Sequence, residues 1–328
     1  MKNIISDFYY NPPVKVGQSD FQIRAINDNA TFEIFCQPAA NYKAGKFSID
    51  ESVGNKRLKG LKMHVALTYS DQPVYFEPLH FFILNICNSA IIEGTKTLTV
   101  DNIFRRLTGS HNRSRIATKN WRDIITSCLI DLCSTHTTID ISDIAYKCKN
   151  YRIDEKIIKG RMLEATIKQN CKTRCGESAT IITFSGQLSP LYRAAAAKNN
   201  RIITYPDYLL DVPIKALSLN SILMRNYLLW RIQNVIQHGQ QSSILFDTVF
   251  ETLNITFEVK QRRNEAISHI KKMFEHWQKC SLIQNWQVTY QSNNAQIPRG
   301  IKFSAERVSR CIEYFKKKEA RKTTAKQA

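Results

Sequence analysis

Residues 258–279 read EVKQRRNEAISHIKKMFEHWQK, and this stretch decides how the second half of the chain folds. Its apolar side chains recur at steps of three and four residues, which is the spacing of one face of an α-helix. At about 100° per residue they cover roughly 120° of the helix surface. The stretch therefore predicts an amphipathic helix whose buried stripe consists of Ala266, Ile267, Ile270, Met273, Phe274 and Trp277.

The polar side of this predicted helix is basic where the helix begins. Lys260, Arg262 and Arg263 crowd the first turn, where the helix dipole already places positive charge. Because that placement does not stabilise an isolated helix, it indicates an anionic partner nearby. Arg can bind guanine through two hydrogen bonds, and Asn or Gln can bind adenine in the same way. The alternative is a set of solvated charges on an exposed helix end. The residues expected to contact DNA are Lys260, Gln261, Arg262, Arg263, Asn264, Ser268 and Lys272.

The segments around this helix follow the order of a winged helix-turn-helix domain. A long helix is expected in SLNSILMRNYLLWRIQNVI (218–236) and a short helix in SSILFDTVFETLN (242–254). After the basic helix, the strand patterns QNWQVTYQ (284–291) and RGIKFSA (299–305) predict a hairpin, the wing. Wings of this kind contact phosphates or the minor groove. The candidate contacts in the wing are Asn294 and Arg299.

The first half of the chain repeats this order of elements without obvious residue-by-residue identity. Helices are expected in FEPLHFFILNICNSAII (76–92), TVDNIFRRLTG (99–109) and TKNWRDIITSCLIDLCST (118–135). Strand patterns follow in RMLEATIKQN (161–170) and SATIITFSG (178–186). The turn that leads into the third helix is basic, which predicts either a second DNA contact or a solvated loop. Its candidate residues are Arg113, Arg115, Lys119, Asn120 and Arg122.

These patterns predict an α+β fold with two tandem winged helix-turn-helix domains and an N-terminal extension. The domains are expected at residues 61–205 and 206–305. Residues 1–60 lack a long helical period and are interpreted as an accessory arm, and residues 306–328 as a basic C-terminal tail.

The charge balance favours a polyanionic partner. The 328 residues include 47 Lys and Arg but only 28 Asp and Glu, which gives a net charge of +19 and a pI near 9.6. Such an excess is typical of proteins that bind nucleic acid, and double-stranded DNA is the partner expected here. A protein that is merely basic is the alternative.

The sequence offers no membrane span and no metal site. No stretch approaches the ~20 apolar residues that cross a bilayer, and the start MKNIISDFYY lacks the apolar region of a signal peptide, so we expect a cytoplasmic protein. The nine cysteines are scattered through apolar stretches, as reduced core residues are. Cys171 and Cys175 have no second pair at ligand spacing, so no metal is predicted.

The motifs of the common enzymes of nucleic-acid metabolism are missing from the sequence. Rolling-circle initiators nick DNA with a tyrosine and a His-x-His metal pair, and the seven histidines contain no such pair. There is also no GxxxxGK[ST] loop to hold nucleotide phosphates. We therefore expect no catalytic residues, no cofactor and no enzymatic activity, with an enzyme of nucleic-acid metabolism as the remaining alternative.

In the order and spacing of four segments, the chain resembles the plasmid replication initiators built from two tandem winged-helix domains. The resemblance runs from about residue 61 to residue 305. It rests on FSGQLSPLY (184–192), NSILMRNYLLWRI (220–232), VKQRRNEAISHI (259–270) and GIKFS (300–304).

The resemblance implies a protein that binds direct repeats, called iterons, at a plasmid origin. Such proteins help to melt adjacent DNA, recruit the host initiator and helicase, and form homodimers that often repress their own gene. By position, Lys260 to Asn264 would read the major groove, and residues 113–122 would serve the contact of the first domain. A winged-helix transcriptional regulator is the alternative function.

Overall fold

The computed structural model is a mixed α+β fold that forms two compact units. The first unit contains mainly Gln22–Ile203 and the second mainly Thr204–Ala328. The residues that the structure describes are 21–36, 46–53, 56–69, 72–110, 116–142, 157–172, 178–197, 202–214, 218–238, 242–292 and 294–305.

In the first unit, a buried helix packs against two other helices, and most of the strands form two sheets. The elements are β1 (Gln22–Ile26), α1 (Asn29–Glu33), β2 (Lys46–Val53), β3 (Lys56–Tyr69), β4 (Gln72–Pro73), α2 (Pro78–Ile92), β5 (Thr97–Thr99), α3 (Val100–Thr108), α4 (Lys119–Ser134), β6 (His136–Asp140), β7 (Ile157–Arg161), β8 (Ala165–Lys172), β9 (Ser178–Phe184) and α5 (Pro190–Ala197). One sheet has the strand order β2-β3-β6-β7, with β4 beside β3, and a smaller sheet has the order β5-β9-β8.

The α2 helix is the centre of this unit, and all its residues from Pro78 to Ala90 are buried. Polar side chains of α2 and of its C-cap residue, Glu93, accept hydrogen bonds from alternate backbone amides of β1, which brings part of the predicted N-terminal arm onto the core helix. The bond to Asn85 satisfies a buried polar group that would otherwise be costly. The pairs are Ile26 N to Asn85 Oδ1 (3.0 Å), Arg24 N to Ser89 Oγ (2.7 Å) and Gln22 N to Glu93 Oε1 (3.2 Å).

In the second unit, three helices pack beside a three-stranded antiparallel sheet. After β10 (Ile202–Pro206), at the boundary between the units, the elements are α6 (Leu219–His238), β11 (Ser243–Leu245), α7 (Phe246–Thr252), α8 (Lys260–Lys279), β12 (Ile283–Gln291) and β13 (Asn294–Ala305). The strand order of the sheet is β11-β13-β12. The buried residues of α8 are the six of the predicted apolar stripe. At the end of that stripe, the Trp277 indole donates a 2.8 Å hydrogen bond to the Leu209 carbonyl.

In both units a three-stranded sheet is built from elements in the order helix, strand, helix, helix, strand, strand, and in the first unit β6 and β7 of the other sheet come between α4 and the last two of these strands. In each, the third strand pairs with both others, as the orders β5-β9-β8 and β11-β13-β12 state. The sequence did not predict the strands β5 and β11, and it assigned all of residues 242–254 to a short helix. Ser243 instead pairs with Lys302 in the sheet, and α7 begins at Phe246. A three-residue strand carries too little periodicity to be recognised without its distant partner.

Candidate nucleic-acid interface

Most of the predicted DNA contacts of α8 lie on its solvent-facing side. We call this surface the outer face of α8; it consists of the exposed residues Lys260, Gln261, Arg262, Asn264, Ser268 and Lys272. Glu265 is also exposed there and accepts a weak, 3.4 Å hydrogen bond from the Gln261 amide. The outer face therefore presents cations and amides together, while the opposite side of the helix is the apolar core.

The beginning of α8 has a positive electrostatic character. Its first turn holds no acidic residue, and its N-cap, Val259, makes no side-chain hydrogen bond to the exposed backbone amides. Unsatisfied N–H groups at a helix start carry a partial positive charge, to which Lys260 and Arg262 add full charges. Within the helix, burial, followed by the charge of Lys272, lowers the pKa of His269, so this imidazole is neutral near pH 7. The positive charge of the outer face thus comes from Lys and Arg alone.

Arg263 differs from its predicted neighbours because it is only partly exposed and contacts α7. Its Nη2 atom lies 2.7 Å from Oδ1 of Asp247, and its guanidinium lies 5.9 Å from the centre of the Phe250 ring. The sequence predicts that this side chain contacts DNA. In the structure its ion pair with Asp247 joins α7 to α8.

The first unit contains the same pair at the same positions. Arg122 donates to both carboxylate oxygens of Asp101, each at 3.2 Å, and Asp101 also accepts a 3.0 Å hydrogen bond from the Ala117 amide. Asp101 and Asp247 are each the second residue of their helix, and Arg122 and Arg263 are each the fourth residue of the next helix. The two units therefore share a side-chain pair as well as an order of elements.

A sequence signal for this repeat exists and was missed. The segment DNIFRRL (101–107) and the segment DTVFETL (247–253) share the pattern D-x-x-F-x-x-L. In each, the Phe and the Leu are buried and the Asp forms the ion pair. Three identical residues among seven are weak evidence of a repeat by themselves. The evidence is stronger because the two segments occupy equivalent positions in the two units.

The other predicted contacts of the first unit divide into two groups. Lys119 and Asn120 are exposed at the beginning of α4, beside the half-buried Arg122. Arg113 and Arg115 lie outside the described residues. The described part of this interface is therefore smaller than that of the second unit.

The hairpin of the second unit adds exposed polar residues beside α8. Arg299 is exposed on β13, while Asn294 begins that strand opposite Gln291. Two exposed residues of the hairpin that were not predicted as contacts, Gln287 and Lys302, are cross-strand partners. The alternation of exposed and buried residues along the RGIKFSA segment was the available signal.

A cavity of about 410 Å³ adjoins the outer face of α8. Its lining includes Ser218 and Asn220 at the beginning of α6, and Arg262 and Glu265 on α8. A partner that contacts the first turn of α8 is thus also within reach of the beginning of α6.

The described residues contain no group of three or more His, Cys, Asp or Glu side chains that could hold a metal ion, and Cys175 lies outside them. Among the helices in the described ranges, none has the length and apolar character needed to cross a membrane.

Comparisons with known proteins gave matches among solved structures only. No protein-family model matches the sequence, and no curated protein matches it. A crystal structure of domains 2 and 3 of RctB is 10% identical, covers 90% of this chain and 98% of that chain, and has a TM-score of 0.42. A second structure of RctB domains 2–3 is 9% identical, covers 84% and 96% respectively, and has the same TM-score.

Proposed function

We propose that each unit contains a winged helix-turn-helix domain and that the chain is a sequence-specific DNA-binding protein that initiates plasmid replication. In this proposal it binds repeats at the origin, promotes opening of the adjacent DNA, and recruits the host replication initiator and helicase. The observation that carries the proposal is the outer face of α8, where exposed Lys, Arg, Gln and Asn side chains surround the uncapped beginning of a helix.

The arrangement of elements supports the winged-helix part of the proposal. In the second unit α7 and α8 are the second and third helices, and the β12–β13 hairpin that follows α8 is the wing. In docking of this type, the third helix enters the major groove with its N-terminal residues against the base edges. The ion pair between Asp247 and Arg263 links α7 to α8 at that end of the helix.

The chemistry of the outer face supports double-stranded DNA as the ligand. Arg262 can bind guanine, and Gln261 and Asn264 can bind adenine, while Lys260 and Lys272 suit phosphates. Lys119 and Asn120 at the beginning of α4 provide a comparable, smaller surface in the first unit. Because each unit contributes one such helix, the proposed DNA site is longer than the stretch that a single helix contacts. Contacts of Arg113 and Arg115 with DNA are also part of this proposal.

The resemblance of the sequence to two-domain plasmid initiators favours initiation over regulation alone. A homodimer that represses its own gene belongs to the same proposal. We propose no enzymatic step, cofactor or metal, because the proposed role needs only binding and assembly.

The proposal is tested by footprinting the full chain on DNA that flanks its own gene, together with a plasmid-maintenance assay. We expect protection of direct repeats spaced by about two turns of DNA, and maintenance of a plasmid that carries the repeats and the gene but no other active origin. Protection of an inverted repeat without plasmid maintenance would instead indicate a transcriptional regulator. Metal-dependent nicking of the fragment would contradict the non-enzymatic role.

A further inference from the structure

The helices α3 and α4 of the first unit and the equivalent α7 and α8 of the second begin in opposite ways. In the first unit, the N-caps of α3 and α4 are Thr99 and Thr118, whose hydroxyls accept hydrogen bonds from backbone amides of the first turn. In the second unit, the equivalent N-caps are Leu245 and Val259, which have no side-chain acceptor. The contrast is informative because both units otherwise share their element order and their Asp–Arg pair.

Valine is a poor choice for the beginning of α8 on grounds of stability. Ser, Thr, Asp and Asn are preferred at N-caps because their oxygens satisfy an amide that the helix leaves open, and Val cannot do so. Burial does not compensate, because Val259 is 54% exposed, the largest fraction among the large apolar residues that the structure describes. An exposed apolar residue at a position that favours a capping side chain breaks a local rule, and such exceptions are expected at functional sites.

The position of Val259 specifies what that contact would be. It directly precedes Lys260, Gln261 and Arg262, at the end of α8 that enters the major groove in the proposed docking. The apolar group that the major groove offers is the C5-methyl group of thymine. We propose that Val259 contacts a thymine methyl in the DNA target and thereby determines specificity at that position. This inference rests on the proposed function.

The test uses duplexes that the full chain selects from a random-sequence pool. Each thymine in the selected site is replaced in turn by deoxyuridine, which removes only the methyl group and keeps every hydrogen-bonding atom. We expect one replacement to weaken binding by about fourfold, the value of one buried methyl group. The Val259→Ser variant should bind the duplex with thymine at that position and the duplex with deoxyuridine there equally well.

Two comparisons separate the proposed contact from a loss of folding. Ser supplies a capping oxygen, so Val259→Ser should unfold at an equal or higher temperature than the natural chain. Leu245→Ser makes the same change at the beginning of α7, where Leu245 is 40% exposed, and should keep the full sensitivity to deoxyuridine.

The outcomes distinguish this inference from the function on which it rests. If a sequence is selected but no thymine position is sensitive, or if Val259→Ser shows the same sensitivity as the natural chain, the Val259 contact is wrong and the DNA-binding function stands. If the pool yields no preferred sequence, the proposed function fails and the contact fails with it.

Discussion

The guanidinium of Arg263 lies 2.7 Å from the carboxylate of Asp247, and the same pair joins Arg122 to Asp101 in the other unit. The carboxylate is on α3 in the first unit and on α7 in the second, and the guanidinium is in the first turn of the next helix, α4 or α8. Fixing those two helices against each other at this end also fixes the direction in which the first turn of the third helix points. We therefore propose that Arg263 positions α8 and that Arg262 makes the contact with DNA.

The pair should contribute a measurable but modest coupling to stability. Because the Asp247 side chain is 60% exposed and that of Arg263 is 23% exposed, we expect a coupling of about 0.5–1 kcal/mol. It is measured by chemical unfolding of Asp247→Ala, Arg263→Ala and the double variant. The coupling should shrink in 1 M NaCl, since salt screens exposed charges. Arg262→Ala, the exposed neighbour, is the control and should unfold like the natural chain. Strictly additive effects of the two substitutions would refute the assignment.

The stability of the second unit should fall in mild acid because of His276. Burial, together with the nearby charges of Arg225 and Lys279, lowers the pKa of His276 to about 4, and a hydrogen bond with the Tyr208 backbone opposes this only partly. In the unfolded chain the imidazole titrates near its ordinary pKa of ~6.5. Since the unfolded state then binds a proton that the folded state does not, stability is lost as the pH falls from about 6.5 to about 4.

The acid effect is checked by unfolding the natural chain and His276→Gln over that pH range. The loss of stability between pH 6.5 and 4 should be smaller in the variant, which has no imidazole to protonate. His269→Gln is a second comparison, because burial also lowers the pKa of the natural His269 imidazole. An identical pH dependence for His276→Gln and the natural chain would mean that other groups cause the acid sensitivity.

A side chain at position 300 should disrupt the small sheet of the second unit. A Cβ atom on Gly300 would lie 2.5 Å from the Ile244 carbonyl oxygen, closer than van der Waals contact allows. We expect Gly300→Ala to destabilise the protein by about 1–3 kcal/mol, as overpacking does. Thermal unfolding measures this, with Lys302→Ala at an exposed position of the same strand as the control. Equal unfolding temperatures for the two variants would contradict the close approach of β11 and β13.

Periodic features of the fold were predictable from the sequence. The stripe from Ala266 to Trp277 was predicted residue by residue, because six apolar side chains at helical spacing leave little ambiguity. The helices predicted in residues 99–109 and 118–135 begin where the sequence indicates, with Thr99 and Thr118 as N-caps, because hydroxyl residues before an apolar period mark a helix beginning.

Features that depend on distant partners were not predictable in this way. The three-residue strand β11 exists because β13 offers it a partner nearly 60 positions later in the chain. Likewise, nothing in QRRN separates Arg262 from Arg263, and the distinction comes from Asp247 on another helix. The hydrogen bonds from β1 to α2 and to its C-cap residue, Glu93, join residues that are 59 to 71 positions apart.

The central claim is that the outer face of α8 binds DNA, and quantitative binding to the selected duplex across a salt series tests it most directly. Arg262→Ala should lose about 1–3 kcal/mol of binding free energy and relax specificity at one base pair. Lys260→Ala should lower the slope of log affinity against log salt by about one, the value of a single phosphate contact. Lys279→Ala, an exposed cation at the opposite end of the same helix, should change neither. If the Arg262 and Lys260 variants bind with the affinity, specificity and salt dependence of the natural chain, α8 is not the DNA-reading helix.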